Sequence, residues 1–192
     1  MSAHRFDPAK LGKLNDIARL DDLMPDVMWE AFGAPAALAV VEIGAGTGMF
    51  AREFAERMPD EGTLVAVDAE PLMVAWMAEH LVAGPGARIT PVLADASAVP
   101  LADASADLVY SINLWHELDD PDAALAEARR VLAPGGVVAV VDWKAEETPK
   151  GPPLAHRTPA EGIARALERA GFTGACIHPA LRYHSVVTAH RP

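Results

Sequence analysis

The stretch Val41-Glu42-Ile43-Gly44-Ala45-Gly46-Thr47-Gly48 constrains this chain more than any other. It joins a continuous apolar run, Ala39–Ile43, to a segment of helical periodicity, Met49–Met58, with three glycines at the junction. Without Cβ atoms the backbone there can turn sharply and come close to a ligand. In open α/β sheets, ligands bind outside the carboxyl ends of the strands, where such a turn lies. The chain then repeats the same unit. Thr63–Val67, Arg88–Leu93, Asp107–Ile112 and Val137–Val141 read as buried strands. Pro71–Val82 reads as a helix with proline in its first turn, and Asp120 caps another that Pro121 opens and that runs to about Leu132. Pro134-Gly135-Gly136 reads as a turn. Unbroken apolar strands separated by helices indicate a parallel sheet covered on both faces. The expected fold is therefore α/β, a doubly wound, mostly parallel sheet.

The two ends differ from this pattern. Apolar positions between residues 8 and 33 predict two short helices broken near Pro25, so residues 1–35 form a helical cover on a single domain spanning 1–192. Residues 142–157, rich in Pro, Lys and Glu, form a long loop. Thr158 is placed to cap a helix with Pro159 in its first turn and Glu161 three residues on, ending at Gly171. Ala175–Pro179 and Tyr183–Ala189 then pair as an antiparallel hairpin at the sheet edge.

A chain of 192 residues, 51% hydrophobic and 22% charged, can bury one core without a disulfide or metal. Its single cysteine, Cys176, cannot form an internal disulfide and is expected as a small packed hydrophobe in a late strand. This composition points to a reducing, cytoplasmic setting. The polar N-terminus has no signal-peptide core. The longest apolar runs, Ala36–Val41 and Val137–Val141, fall far short of the roughly 18 residues of a membrane span. A net charge of −11, with no basic patch beyond Arg129-Arg130, argues against nucleic acid as a partner. No residue pattern specifies an oligomeric state.

The partners of the glycine turn sharpen its meaning. Asp68 ends the second strand, where a carboxylate accepts hydrogen bonds from ribose hydroxyls. Asp95 lies just past the third strand, placed for an adenine amino group, and Glu42 precedes the first glycine. The Gly-x-Gly-x-Gly spacing differs from the Gly-x-Gly-x-x-Gly of dinucleotide sites. Several carboxylates repel a pyrophosphate but suit a sulfonium with a zwitterionic tail.

From Ala39 to Val141 the chain resembles a class I S-adenosylmethionine-dependent methyltransferase. The motifs are Val-Val-Glu-Ile-Gly-Ala-Gly-Thr-Gly, Ala-Val-Asp68, Ala-Asp95-Ala, Asp107-Leu-Val-Tyr-Ser-Ile-Asn113 and Glu127-Ala-Arg-Arg-Val-Leu-Ala-Pro-Gly-Gly136. The last is similar to the ubiquinone/menaquinone-biosynthesis branch. The resemblance implies a seven-stranded sheet with an antiparallel last strand, S-adenosyl-L-methionine as cofactor and a small-molecule acceptor. It also implies that Glu42, Gly44, Ala45, Gly46 and Gly48 hold the methionine end, while Asp68 and Ala69 take the ribose. Met73 then lies near the adenosine or is core filler. Asp95 and Ala96 take the adenine, and Asn113 lies below the sulfonium.

Methyl transfer requires mainly that a nucleophile be aligned within about 3–3.5 Å of the methyl, with a base where the nucleophile carries a proton. The acceptor is expected over the end of the fourth strand, at Ile112-Asn113-Leu114-Trp115-His116-Glu117. His116 is the candidate base, or else it orients a loop. Trp115 either faces the sulfonium or packs against the sheet. A second group, His4, Asp142, Lys144, His156, Arg157 and Tyr183, is expected to line or lid the substrate pocket, or to form a polar network that fixes the lid. Its pattern resembles a group of compact bacterial methyltransferases. No local His spacing favours a metal. Two alternatives stay open: a nicotinamide-dependent oxidoreductase, and a non-catalytic S-adenosylmethionine-binding module.

Overall fold

The computed structural model describes residues 11–34, 36–81 and 86–192. Seven strands form one sheet: β1 (Ala39–Ile43), β2 (Thr63–Asp68), β3 (Arg88–Leu93), β4 (Ala106–Ile112), β5 (Leu132–Trp143), β6 (Thr173–His178) and β7 (His184–His190). Their order is β3-β2-β1-β4-β5-β7-β6. The first five run parallel, β7 is antiparallel to β5, and β6 pairs antiparallel with β7 at the edge. The chain order reverses beside β1, so the ends of β1 and β4 diverge and leave a crevice there.

Seven helices complete the described fold: α1 (Leu11–Leu14), α2 (Arg19–Leu23), α3 (Pro25–Phe32), α4 (Met49–Ala55), α5 (Pro71–His80), α6 (Pro121–Val131) and α7 (Ala160–Arg169). Pro25 separates α2 from α3 and opens the latter, as expected, but the segment before it is itself broken between Leu14 and Arg19, so three short helices stand where two were expected. Asp120 caps α6 as its sequence indicated, with Oδ1 accepting from the Ala123 N–H at 2.9 Å. α7 begins one residue later than expected. Pro159, at φ −55° and ψ 144°, is its N-cap, and Thr158 makes no capping bond. The Pro134-Gly135-Gly136 segment is a bulge inside β5 rather than a separate turn. Pairing with β4 shifts there, and the Gly135 N–H and Gly136 C=O bond the backbone of Arg191. Cys176 is exposed on the edge strand β6, not in a packed interior, because no described residue covers it there. Among the described residues no helix is long and apolar enough to cross a membrane.

Strand periodicity of two sorts the side chains between two cores. Val40, Glu42, Leu64, Ala66, Leu108 and Tyr110 face the side covered by α3 and α4, where Trp29, Phe32, Phe50 and Phe54 gather. Val41, Ile43, Val67, Val109, Val138 and Val140 face the side covered by α6 and α7, with Trp115 and Phe172. Phe54 is the hub of the first core, stacked on Trp29 at 5.5 Å and edge-on to Phe32 and Tyr110 at 5.4 and 5.1 Å. Phe54→Ala should therefore cost about 3–5 kcal/mol of folding free energy, read as a drop in the urea midpoint at constant slope. A cost below about 1 kcal/mol would show that this cluster is not central to the fold.

Candidate active site

A cavity of about 260 Å³ opens at the carboxyl ends of β1, β2, β3 and β4. Its floor is the glycine turn. The Gly44 and Ala45 N–H groups both donate to the Val67 C=O at 2.9 Å, which ties the start of the turn to β2. The Gly46 N–H donates to Asp68 Oδ2 at 2.7 Å, and the Glu70 N–H donates to Asp68 Oδ1 at 2.9 Å. One carboxylate at the end of β2 thus holds two loops in register. Gly46 has φ +58° and Gly48 φ +74°, and a Cβ on Gly48 would lie 2.6 Å from Leu81 Cδ1. Gly48 therefore serves close packing behind the turn, while Gly44, Ala45 and Gly46 line the cavity.

Glu42 is 2% exposed and accepts a bond from the Tyr110 hydroxyl at 3.0 Å. Burial pushes its carboxyl up to about 8, against the pull of the Tyr110 bond and the Arg19 charge. Asp68 is also raised by burial, opposed by its bonds from the Glu70 and Gly46 N–H groups. Asp95 Oδ1 accepts from both the N–H and hydroxyl of Ser97, at 2.9 and 2.7 Å, and so shapes the turn after β3. Asn113 occupies the left-handed region at φ +57°, a conformation its short side chain tolerates. Its N–H is held by the Val141 C=O at 2.8 Å, while its Oδ1 is buried with no partner among the described residues.

Glu42, Gly44, Ala45, Gly46, Asp68, Ala69, Met73, Asp95, Ala96 and Asn113 all border this one cavity. Met73 does so while 2% exposed, so it both packs the core and forms wall. These residues fit an adenosyl ligand on the structure's own evidence. A Cβ on Gly44 would lie 2.8 Å from Leu114 Cδ1 and one on Gly46 3.2 Å from Leu14 Cδ1, so only glycine fits this wall of the turn, and Asn113, whose buried Oδ1 has no partner among the described residues, borders the same cavity.

The other expected residues stand elsewhere. Trp115 is 8% exposed and packs in the core on the α6 side. His116 Nδ1 lies 2.8 and 3.1 Å from the two Asp142 oxygens, and its backbone N–H donates to Asp142 Oδ2 at 3.2 Å. Its Nε2 lies 3.8 Å from Glu117 Oε1, and it is Glu117 that lines the cavity. Burial pulls the imidazole down, but the Asp142 bond and charge outweigh it, leaving His116 above its ordinary value. Arg157 spends its guanidinium on its own loop, donating to the carbonyls of Lys144, Glu146, Lys150 and Pro152 and the Thr148 hydroxyl, above the Trp143 ring. Lys144 Nζ bonds the Arg182 C=O at 3.2 Å, and Tyr183 lies beneath Arg182 and Lys150. Lys150 pairs with Asp22 of α2, which fastens the loop to the N-terminal helices. His156 is exposed in a short 3₁₀ turn, and His4 lies outside the described residues. These contacts form a network that fixes the loop, and none of Asp142, Lys144, His156, Arg157 and Tyr183 borders the cavity.

Sequence reasoning missed Leu14, Arg19 and Phe50 as wall residues, and within Ile112–Glu117 it singled out Trp115 and His116 where Leu114 and Glu117 form the wall. Arg19 and Leu14 had no motif to mark them. Glu117 carried a signal, since it follows His116 directly at the end of the same strand.

Comparison with known proteins agrees with this geometry. The family described as "Methyltransferase domain" matches residues 41–140. The ubiquinone/menaquinone biosynthesis C-methyltransferase UbiE of Hahella chejuensis is 31% identical over 70% of this chain and 59% of its own length. The malonyl-[acyl-carrier protein] O-methyltransferase of the same organism is 40% identical over 50% of this chain and 33% of its own length. The chain thus spans between a third and three-fifths of these two curated relatives. A SAM-dependent methyltransferase from Aquifex aeolicus superposes with a TM-score of 0.91 at 28% identity, covering 98% of this chain and 100% of that one. With the strand order, the glycine turn and the acidic cavity, these matches show that the chain belongs to the SAM-dependent methyltransferase family.

Proposed function

We propose that this chain transfers a methyl group from S-adenosylmethionine to a small-molecule acceptor. The observation that carries the reading is the lining of this cavity. Glu42 in β1, Asp68 at the end of β2 and Asp95 just past β3 each contribute a carboxylate to it, beside a glycine turn. When bound, the cofactor supplies an activated methyl on a sulfonium, open to in-line displacement. Glu42, Gly44, Ala45 and Gly46 hold its amino-acid end, with Gly48 packing behind the turn. Asp68 and Ala69 hold the ribose, Asp95 and Ala96 the adenine, Met73 packs beside the nucleoside, and Asn113 lies beneath the sulfonium. Relatives named for ubiquinone/menaquinone biosynthesis and for malonyl-[acyl-carrier protein] support an acceptor that is a small group. The net charge of −11 and the lone thiol support a cytoplasmic protein with no nucleic-acid or membrane partner.

His116 works from behind the cavity wall. Asp142 fixes the ring by accepting from Nδ1, which directs Nε2 towards Glu117. In this reading His116 is a positioning residue that holds the Glu117 carboxyl at the acceptor side. Trp115 supports the turn from the core, and the loop carrying Lys144, His156 and Arg157, beside Tyr183, covers the acceptor's approach.

Three measurements test these assignments. Calorimetry with S-adenosylhomocysteine should show binding to the wild-type chain, weakened about 10- to 100-fold by Asp68→Ala through loss of a charged hydrogen-bond acceptor. Stabilisation by NAD with no response to either adenosyl ligand would reject the methyltransferase reading.

At pH 7 a Glu42 carboxyl near 8 is mostly protonated. An ammonium placed beside it favours the carboxylate, so binding should release up to about one proton at pH 7. The release should disappear above about pH 9, where Glu42 is already ionised, and in Glu42→Gln. Binding enthalpies independent of buffer ionisation heat would contradict it.

The His116 imidazole should titrate above its ordinary 6.5 by NMR and fall in Asp142→Asn. Because its folded value is raised, this pair stabilises the fold fully below pH 6.5 and loses that contribution as pH rises through the folded value. An unchanged titration in Asp142→Asn would remove Asp142 from its role.

A further inference from the structure

Seven residues lining the cavity are acidic, and Arg19 is the one basic residue there among those described. It belongs to α2, in the segment that crosses the glycine turn. Leu14, just before it, would meet a Cβ on Gly46 at 3.2 Å. The Arg19 guanidinium donates from Nη1 to the Leu14 C=O at 2.7 Å and lies 5.1 Å from the centre of the Phe50 ring. These contacts fix one edge and one face of the group. Its other N–H donors have no partner among the described residues, although it is half-buried. Burial pulls its pKa down, against the pull of Glu42 and Asp16.

Arg19 and Glu42 both border the cavity, a guanidinium and a carboxyl that an adjacent ammonium would ionise. No ion pair joins them, and Glu42 is bonded instead to Tyr110. A gap between an unpaired guanidinium and a buried carboxyl matches a ligand that carries an ammonium and a carboxylate on one carbon. The remaining acids of the wall would repel such a carboxylate, so a cation is required wherever it binds. A guanidinium held at one edge presents its other donors as a fork suited to a carboxylate.

We propose that Arg19 binds the α-carboxylate of the cofactor's amino-acid end, opposite Glu42 at the ammonium, so that α2 selects a ligand with an intact amino-acid tail. This assignment rests on the methyltransferase reading and deepens it. It makes the N-terminal helices part of the site rather than a cover over it.

The test compares ligands with and without the carboxylate. Isothermal calorimetry would measure S-adenosylhomocysteine, its decarboxylated amine analogue and 5′-methylthioadenosine against the wild type, Arg19→Gln and Arg19→Lys, with circular dichroism to check folding. Arg19→Gln should weaken S-adenosylhomocysteine about 10- to 100-fold and leave the two tail-truncated ligands within about twofold. Arg19→Lys should recover part of the loss. If Arg19→Gln fails to fold, wild type alone still decides, since the decarboxylated analogue should bind about 10- to 100-fold more weakly than S-adenosylhomocysteine. Equal losses for all three ligands, or no preference of the wild type for the carboxylate, would overturn the assignment while leaving the methyltransferase reading intact. Binding of none of the three by the wild type would overturn both.

Discussion

The site depends on one bond that crosses from strand to strand: the Gly46 N–H to the Asp68 carboxylate, at 2.7 Å. The glycine turn has few side chains with which to hold itself in place. Its shape comes from β2, through Asp68 at the end of the strand and the Val67 C=O just before it, which accepts from Gly44 and Ala45. The same carboxylate fixes the start of the α5 segment through the Glu70 N–H. A parallel β1–β2 pair with Ile43 beside Val67 is what brings these groups within reach. The sheet register therefore sets the ligand site directly, with no adaptable loop between them.

Period-two alternation explains the placement of the charged groups. Glu42 and Tyr110 share the face covered by α3 and α4, as partners across the β1–β4 pair, and so meet in the aromatic core. Asp142 falls on the opposite face, with Val138 and Val140 before it on β5, and it holds His116 there beside Trp115. A residue one position along either strand would exchange the two arrangements. This is why a histidine that looked central in sequence stands behind the cavity wall, while Glu117, its neighbour, reaches the cavity.

The strands and the adenosyl half of the site were legible because both follow from local patterns. Apolar runs ending in Gly44, Asp68 and Asp95 fix where each strand stops, and parallel pairing then brings those ends together. The antiparallel hairpin of β6 and β7 was legible for the same reason, from two β-type runs with little chain between them. What was not legible depended on contacts distant in sequence. Thr158 has the chemistry of a cap, but the backbone at Pro159 is still extended, so the helix starts later. Pro134-Gly135-Gly136 has turn composition, yet bonding to Arg191 at the far end of the chain draws it into β5. Arg157 and Lys144 have the composition of a substrate lid, but the carbonyls of their own loop and of Arg182 engage them. Arg19 sits in a segment with no motif, and only the crossing of α1 and α2 over the turn gives it a role.

The balance of charge in the cavity also explains why this nucleotide-type fold need not serve a dinucleotide. A pyrophosphate brings two negative charges to the mouth of the glycine turn, where Asp68 and Glu42 already stand. Asp68 alone suits either ligand, because a ribose asks only for acceptors. Glu42 is the discriminating group. Its cost of burial is large enough to hold it protonated near neutrality, and a neutral carboxyl bonded to Tyr110 leaves the core without an uncompensated charge. An ammonium changes that balance, since the ionised form then gains a partner at a place where water cannot screen the pair. The residue that is costly to bury in the free protein is thus the one that best distinguishes a cationic amino-acid tail from a phosphate.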